Sequence, residues 1–168
     1  GHRRASGHPG VCVIPAALAV AEEIGASGQE FLEAVVIGYE AAVRAGALLF
    51  PQDNRSLSLY HGSGTMAAYG ASMTAGKLLK LNRGETLNAL GIAEANAPIA
   101  QMLKSIRAGV MTKGSAGWGA LSGVTAAFLA KHGFTGPPTI FDEASVSIPF
   151  REYQILGVYF KPYSSCRW

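Results

Sequence analysis

A mainly α-helical fold, with one strand near the C-terminus, is the class that this sequence predicts. Three observations carry it. Apolar residues recur at helical spacing in run after run. Those runs are built largely from alanine and glycine, whose small side chains let helices approach closely. Only Tyr153 to Tyr159 is rich in β-branched and aromatic residues, so a strand is expected there.

The helices follow in order. Residues 11–24 form the first, with Pro15 one turn in and Gly25 as its stop. Ser27 is placed to cap a second over 28–49, where Phe31, Val35, Tyr39 and Val43 recur near helical spacing. Pro51-Gln52-Asp53-Asn54 signals a loop. A third helix is expected over 63–80, carrying Met66, Tyr69, Met73 and Leu78 and broken at Asn82 or Arg83-Gly84. A fourth covers Glu85 to Asn96 and ends before Pro98. Residues 99–107 add a short helical piece. Ala116 to Lys131 is the last, with Gly133 placed to end it and a sharp turn at Gly136-Pro137-Pro138. The expected division is a helical domain over 1–138, then a linker and the start of a further domain over 139–168.

Of the 168 residues 49% are apolar, 9% aromatic and 15% charged, against a usual charged share of ~25%. Too little charge to cover a free surface points to burial against another subunit or a further part of the chain. A homodimer is therefore expected, with small-residue faces in the contact: Ala67, Gly70, Ala71 and Ala75 on the third helix, and Ala120, Gly123, Ala126 and Ala127 on the last. Net charge is +3 and the isoelectric point about 9.0. The longest basic cluster is Arg3-Arg4, so no nucleic acid is expected as a partner. Cys12 and Cys166 share no metal-type spacing and make neither a disulfide framework nor a cluster site, which points to a reducing cytoplasm. HExxH and CxxC spacings are absent, so no metal or cofactor is expected. The polar opening GHRRASGHPG does not read as a signal peptide, and no run reaches the ~18 apolar residues of a membrane span. There is no initiating Met, and the chain stops straight after the strand-like run. Both ends read as cut, and a piece of a longer protein is expected.

Four motifs sit at element ends. His8-Pro9-Gly10 holds a histidine at a helix start, where an anion is also favoured; its plainer reading is a surface histidine in a turn. Tyr60-His61-Gly62-Ser63-Gly64-Thr65 offers exposed N–H groups that could cradle a carboxylate, or is a glycine-rich helix entry with Ser63 as cap. Met111 to Trp118 places Lys113 in a glycine-rich loop, as an anion anchor or proton carrier, or as a solvated loop lysine. Lys161-Pro162-Tyr163-Ser164-Ser165-Cys166-Arg167 gathers Lys, Tyr and Arg at a strand end, or is a surface loop; Cys166 is not expected to act as a nucleophile. Together these suit abstraction of a proton next to a carboxylate, with cations holding the substrate.

In their order the motifs resemble the MmgE/PrpD family. The matching pieces are HPG, the Gly38-Tyr39-Glu40 and Arg44 pattern, HGSGT, LGIAEANAP, the run from Lys113 through Trp118 to AAFLA, GFTGP at Gly133 to Pro137, and KPYSSCRW. The resemblance implies a large helical domain and a smaller α+β lid with the active site between them, usually in a homodimer. It implies dehydration of 2-methylcitrate-like acids or decarboxylation of cis-aconitate without an iron–sulfur cluster. Residue by residue it implies catalytic roles for His8, His61, Lys113 and Lys161, with Tyr163 and Arg167 flanking the last of these at the substrate; from the helix-entry motif Ser63 and Thr65 are also expected at the substrate. The expected function is thus a lyase that removes water, or carbon dioxide, from a small di- or tricarboxylate. One of His8 and His61 would move the proton, Lys113 or Lys161 would neutralise carboxylates, and Arg167 would help to anchor. The alternatives are a non-catalytic dimerisation or ligand-binding module, and an epimerase or isomerase on the same fold. His8, His61 and Lys113 are expected to converge on one cleft.

Overall fold

The computed structural model describes residues 1–3, 5, 7–50, 62–99, 102–112 and 115–142. These hold six helices: α1 (Gly10–Ile24), α2 (Gly28–Leu49), α3 (Ser63–Leu78), α4 (Arg83–Ala95), α5 (Met102–Arg107) and α6 (Ala116–Lys131). Among the described residues there is no strand, only a bridge between His2 and Gly7. The expected strand at 153–159 and the loop at 51–54 lie outside them. No described helix is long and apolar enough to cross a membrane.

Local chemistry sets most helix ends. The buried stripe of α1 is Cys12, Val13, Ala16, Ala17, Val20 and Ala21. Pro15 falls on the exposed side, so the Val11 carbonyl that it leaves without an amide partner faces solvent. Gly25 closes α1 in the left-handed region (φ 64°), and the Ala26 amide reaches back to the Ala21 carbonyl at 2.9 Å. Ser27 and Glu30 then form a capping box that starts α2.

The third helix is shorter than its apolar pattern. It stops at Leu78; Lys80 turns left-handed (φ 56°), and the Leu81 amide bonds the Gly76 carbonyl at 3.0 Å. Asn82 does not break α3 but caps α4. Its side chain accepts from the Glu85 amide at 3.0 Å, and Glu85 accepts from the Asn82 amide at 2.7 Å. Hence α4 begins at Arg83 rather than Glu85. Past α6, the Phe134 amide bonds the Leu129 carbonyl at 3.0 Å around Gly133. The turn expected at Gly136-Pro137-Pro138 is instead a strap without turn hydrogen bonds, laid against α4, where the Gly136 amide donates to Asn88 Oδ1.

Helix α3 is the axis of the bundle and packs on α1, α2, α4 and α6. It is buried nearly all round, and Lys77 in its last turn is its one charged residue. The side chains at its crossings are small. Gly38 of α2 lies against Gly70 and Thr74, and Gly123 of α6 lies against Ala68 and Ser72, with no room for a Cβ at either glycine. The deepest positions of α2 are accordingly Ala34, Gly38, Ala42 and Ala45, while Phe31, Val35 and Tyr39 flank them half-buried. Ala67, Ala71, Ala75, Ala126 and Ala127 are fully buried inside the fold. The small-residue faces expected in a subunit contact are used within the bundle: Gly70 lies against Gly38 and Ala42 of α2, Gly123 against Ala68 and Ala71 of α3, and Ala126 packs with Ala89 and Ala93 of α4. The apolar side chains left exposed are larger ones, including Val11, Ile14 and Leu18 on α1 and Trp118 and Leu121 on α6. Helix α5 packs on none of the other described helices.

Gly38→Ala should destabilise the chain by about 1–3 kcal/mol, because overpacking a helix crossing forces the backbones apart. Gly117→Ala in α6, where nothing lies within reach of the added methyl, should be neutral or stabilising by up to about 1 kcal/mol. Urea unfolding of the two variants checks the contrast.

Candidate active site

Helices α1, α3 and α6 all begin at one end of the bundle, and hydrogen bonds join their first turns. The His8 amide, just ahead of α1, donates to Ser63 Oγ at the start of α3 at 3.1 Å. The Gly64 amide donates to Ser115 Oγ, just ahead of α6, at 3.1 Å. The Cys12 thiol in α1 donates to the Ala116 carbonyl at 3.0 Å. Gly64 and Gly119 make this closeness possible, since a Cβ on the first would overlap Ser115 and on the second would overlap the Gly64 backbone. Thr65 Oγ1 donates to the Pro98 carbonyl at 2.5 Å, which brings the segment after α4 to the same place.

These three helix starts differ from the others. Helices α2 and α4 open with capping boxes that put Glu30 and Glu85 against their N-termini. Helices α1, α3 and α6 have no side-chain cap and no acidic residue in the first turn. Each N-terminus carries a partial positive charge, worth ~0.3–1 kcal/mol to a nearby anion and up to ~2 when partly buried. Three gathered with no carboxylate in their first turns make an electropositive end. The last turns of α2 and α4 come to the same side and offset part of it, with the Pro98 carbonyl already taken by Thr65.

His8 is exposed, with its ring beside Gly1, and buried Pro9 occupies the cap position of α1. Ser63 is 5% exposed. Its oxygen does not cap α3, contrary to the plainer reading of that motif; it takes the His8 amide, which leaves its own proton to be donated. The Thr65 hydroxyl is committed to backbone. His61, Lys113, Lys161, Tyr163, Cys166 and Arg167 lie outside the described residues. The structure therefore joins His8, Ser63 and Thr65 to Gly62, which follows His61, and to Ser115, two residues after Lys113. Sequence reasoning passed over Ser115 and Gly119 as site-builders. A small residue four places from another, Ser115 to Gly119, was the available signal of a close helix start. Among the described residues no three His, Cys, Asp or Glu side chains gather as a metal site would require.

Residues 1–147 match the MmgE/PrpD N-terminal domain. The chain belongs to the MmgE/PrpD family. The described helical body is therefore that family's N-terminal domain. Among curated proteins, this MmgE/PrpD chain is 28% identical over 150 residues to the cis-aconitate decarboxylase-like protein oryM of Aspergillus oryzae (strain ATCC 42149 / RIB 40), covering 85% of this chain and 30% of that protein. The chain thus spans about 30% of that relative's length. No solved structure gives a significant match.

Burial pushes the Cys12 thiol from its ordinary 9.0 up to about 11, the Ala120 backbone opposing. The folded chain keeps this proton while the unfolded chain releases it near 9.0, so stability falls as pH rises from about 9 to about 11, by on the order of 2 kcal/mol. The melting temperature of the wild type should fall relative to Cys12→Ala between pH 8 and 10.5; parallel curves would show that the thiol does not contribute. Ser115→Ala leaves the Gly64 amide buried without its acceptor and should cost about 1–3 kcal/mol in chemical denaturation.

Proposed function

We propose that this chain is the helical part of a cytoplasmic lyase that removes water from a small di- or tricarboxylate held at the joined N-termini of α1, α3 and α6. The observation that carries the reading is the capping contrast: the helix starts that meet have neither acid nor side-chain cap, while α2 and α4 have both. Anionic carboxylates suit such an end. Family membership supplies the reaction class. A second reading, decarboxylation, is favoured by the relative whose name describes it as cis-aconitate decarboxylase-like.

In the proposed chemistry His8 or His61 takes the proton next to a carboxylate. The electron pair of that C–H bond forms the double bond, and the hydroxyl leaves as water with a proton from an acid. In sequence His61 directly precedes Gly62, the cap residue of α3, and Lys113 lies two residues before Ser115, the cap residue of α6. On this reading both act at the joined helix starts. Lys113 or Lys161 neutralises substrate carboxylates, Arg167 and Tyr163 anchor them, and Ser63 offers its proton. Thr65 serves by holding the Pro98 segment. Assembly as a homodimer is part of the proposal, through the exposed apolar side chains of α1 and α6.

Incubating the full-length polypeptide with citrate-like and malate-like acids and following loss of water or carbon dioxide by mass spectrometry tests the reading. Turnover of one acid is expected, and His8→Ala, His61→Ala and Lys113→Ala should each lower kcat/KM by about 100-fold or more. Full activity in all three variants would remove the helix-end site.

A further inference from the structure

A hydrogen-bonded knot at the far end of the LGIAEANAP block takes no part in the proposed chemistry. After α6 the strap of residues 134–142 returns along α4. Its Gly136 amide donates to Asn88 Oδ1 at 3.2 Å, and Gly91 leaves room for the Pro137 carbonyl. Thr139 is 3% exposed, and Asp142 Oδ2 accepts from its amide at 3.0 Å and its hydroxyl at 2.9 Å. The Ile140 amide then donates to Glu94 Oε2 at 2.9 Å, and the Phe141 ring meets Tyr69 of α3 edge-on with centroids 5.7 Å apart. The Tyr69 phenol is 1% exposed. Burial first, and the Glu94 carboxylate second, hold it protonated far above its ordinary range.

Glu94 of α4 thus takes a donor from the strap backbone, at the point where Phe141 meets the central helix. It is the one charged residue in LGIAEANAP. A half-buried carboxylate costs desolvation that an apolar residue would not, and a charge-assisted hydrogen bond from the strap offsets part of that cost. Four residues on, the Pro98 carbonyl receives the Thr65 hydroxyl in the first turn of α3. One short run of chain therefore ties both the strap and the helix-end site to the bundle.

We infer that Glu94 is a positioning residue that pins the strap to α4, and so sets where residues 139–142 lie relative to the joined helix starts. The consequence for catalysis rests on the proposed polycarboxylate reaction; the pin does not. Hydrogen–deuterium exchange of this chain reads the pin directly. In Glu94→Ala, exchange across 139–142 should rise by about tenfold or more, the scale of a lost hydrogen bond, while α1, α2 and α6 keep their protection. Glu94→Gln, which retains one carbonyl acceptor, should fall between wild type and Glu94→Ala. Unchanged exchange at 139–142 in Glu94→Ala overturns the proposal, as does protection lost throughout the bundle in both variants. In the full-length polypeptide, with 2-methylcitrate and citrate as probes, Glu94→Ala should lower kcat/KM through KM and leave the pH profile in place. A displaced profile would make Glu94 a proton carrier and overturn its positioning role. Should wild type turn over neither acid, the reaction proposed above fails while the exchange result still decides the pin.

Discussion

The burial of α3 on every side is the constraint on which the rest depends. A helix with neighbours all round has to present small side chains where backbones cross, and Gly38, Gly70 and Gly123 meet that demand at the contacts of α3 with α2 and α6. Small side chains bury little area each, so stability has to come from closeness and from dispersion summed over many contacts. Closeness in turn fixes the positions of the helix ends. Once α6 is pressed onto α3 at Gly64 and Gly119, and α1 onto it through Val13 at Gly70, their starts have to lie together. The site is in this sense a by-product of how the core is packed.

That geometry has an electrostatic cost which the sequence handles unevenly. Orphan N–H groups at a helix start need acceptors. On α2 and α4 they are met by Ser27 with Glu30 and by Asn82 with Glu85. At α1 and α3, among the described residues, hydroxyls of neighbouring helix starts serve instead: Ser63 accepts from the His8 amide and Ser115 from the Gly64 amide. A fold selected for stability alone gains from acids at such ends. Their absence from the three ends that meet, and their presence on two that do not, is the pattern expected where an external anion is to complete the arrangement.

Much of this was legible before any coordinates. The bounds of α2 and α6, and nearly those of α1, follow from Ser27, Gly25, Gly133 and the apolar periodicity, because caps and stops act locally. The end of α3 was not legible, since nothing in Leu79-Lys80-Leu81 marks the left-handed turn that Lys80 takes. Asn82 was read as a breaker because its role as a cap depends on Glu85 reaching back to it. Gly136-Pro137-Pro138 was read as a turn on composition, whereas α4 supplies the partners that hold it extended. Of the site, the motif ends at His8 and Ser63 could be picked out by residue type. That Ser63 Oγ is an acceptor for His8 rather than a cap depends on a contact 55 residues away in sequence, which no local pattern encodes. The small faces of α3 and α6 were seen to need neighbours on several sides, and α1, α2 and α4 as well as each other supply them.

The same distinction bears on why a charged residue persists in LGIAEANAP. Read locally, Glu94 is an exposed polar position near the end of an amphipathic helix. Its carboxylate is engaged by Ile140 and Tyr69, 46 and 25 positions away along the chain. An apolar residue there would pack the strap without orienting it, because apolar contact is not directional. The donor from Ile140 fixes both distance and angle. Directionality matters where chain runs extended along a bundle, and the strap does so against α4. The apolar contact of Phe141 on Tyr69 supplies attraction at that point, and Glu94 supplies the geometry.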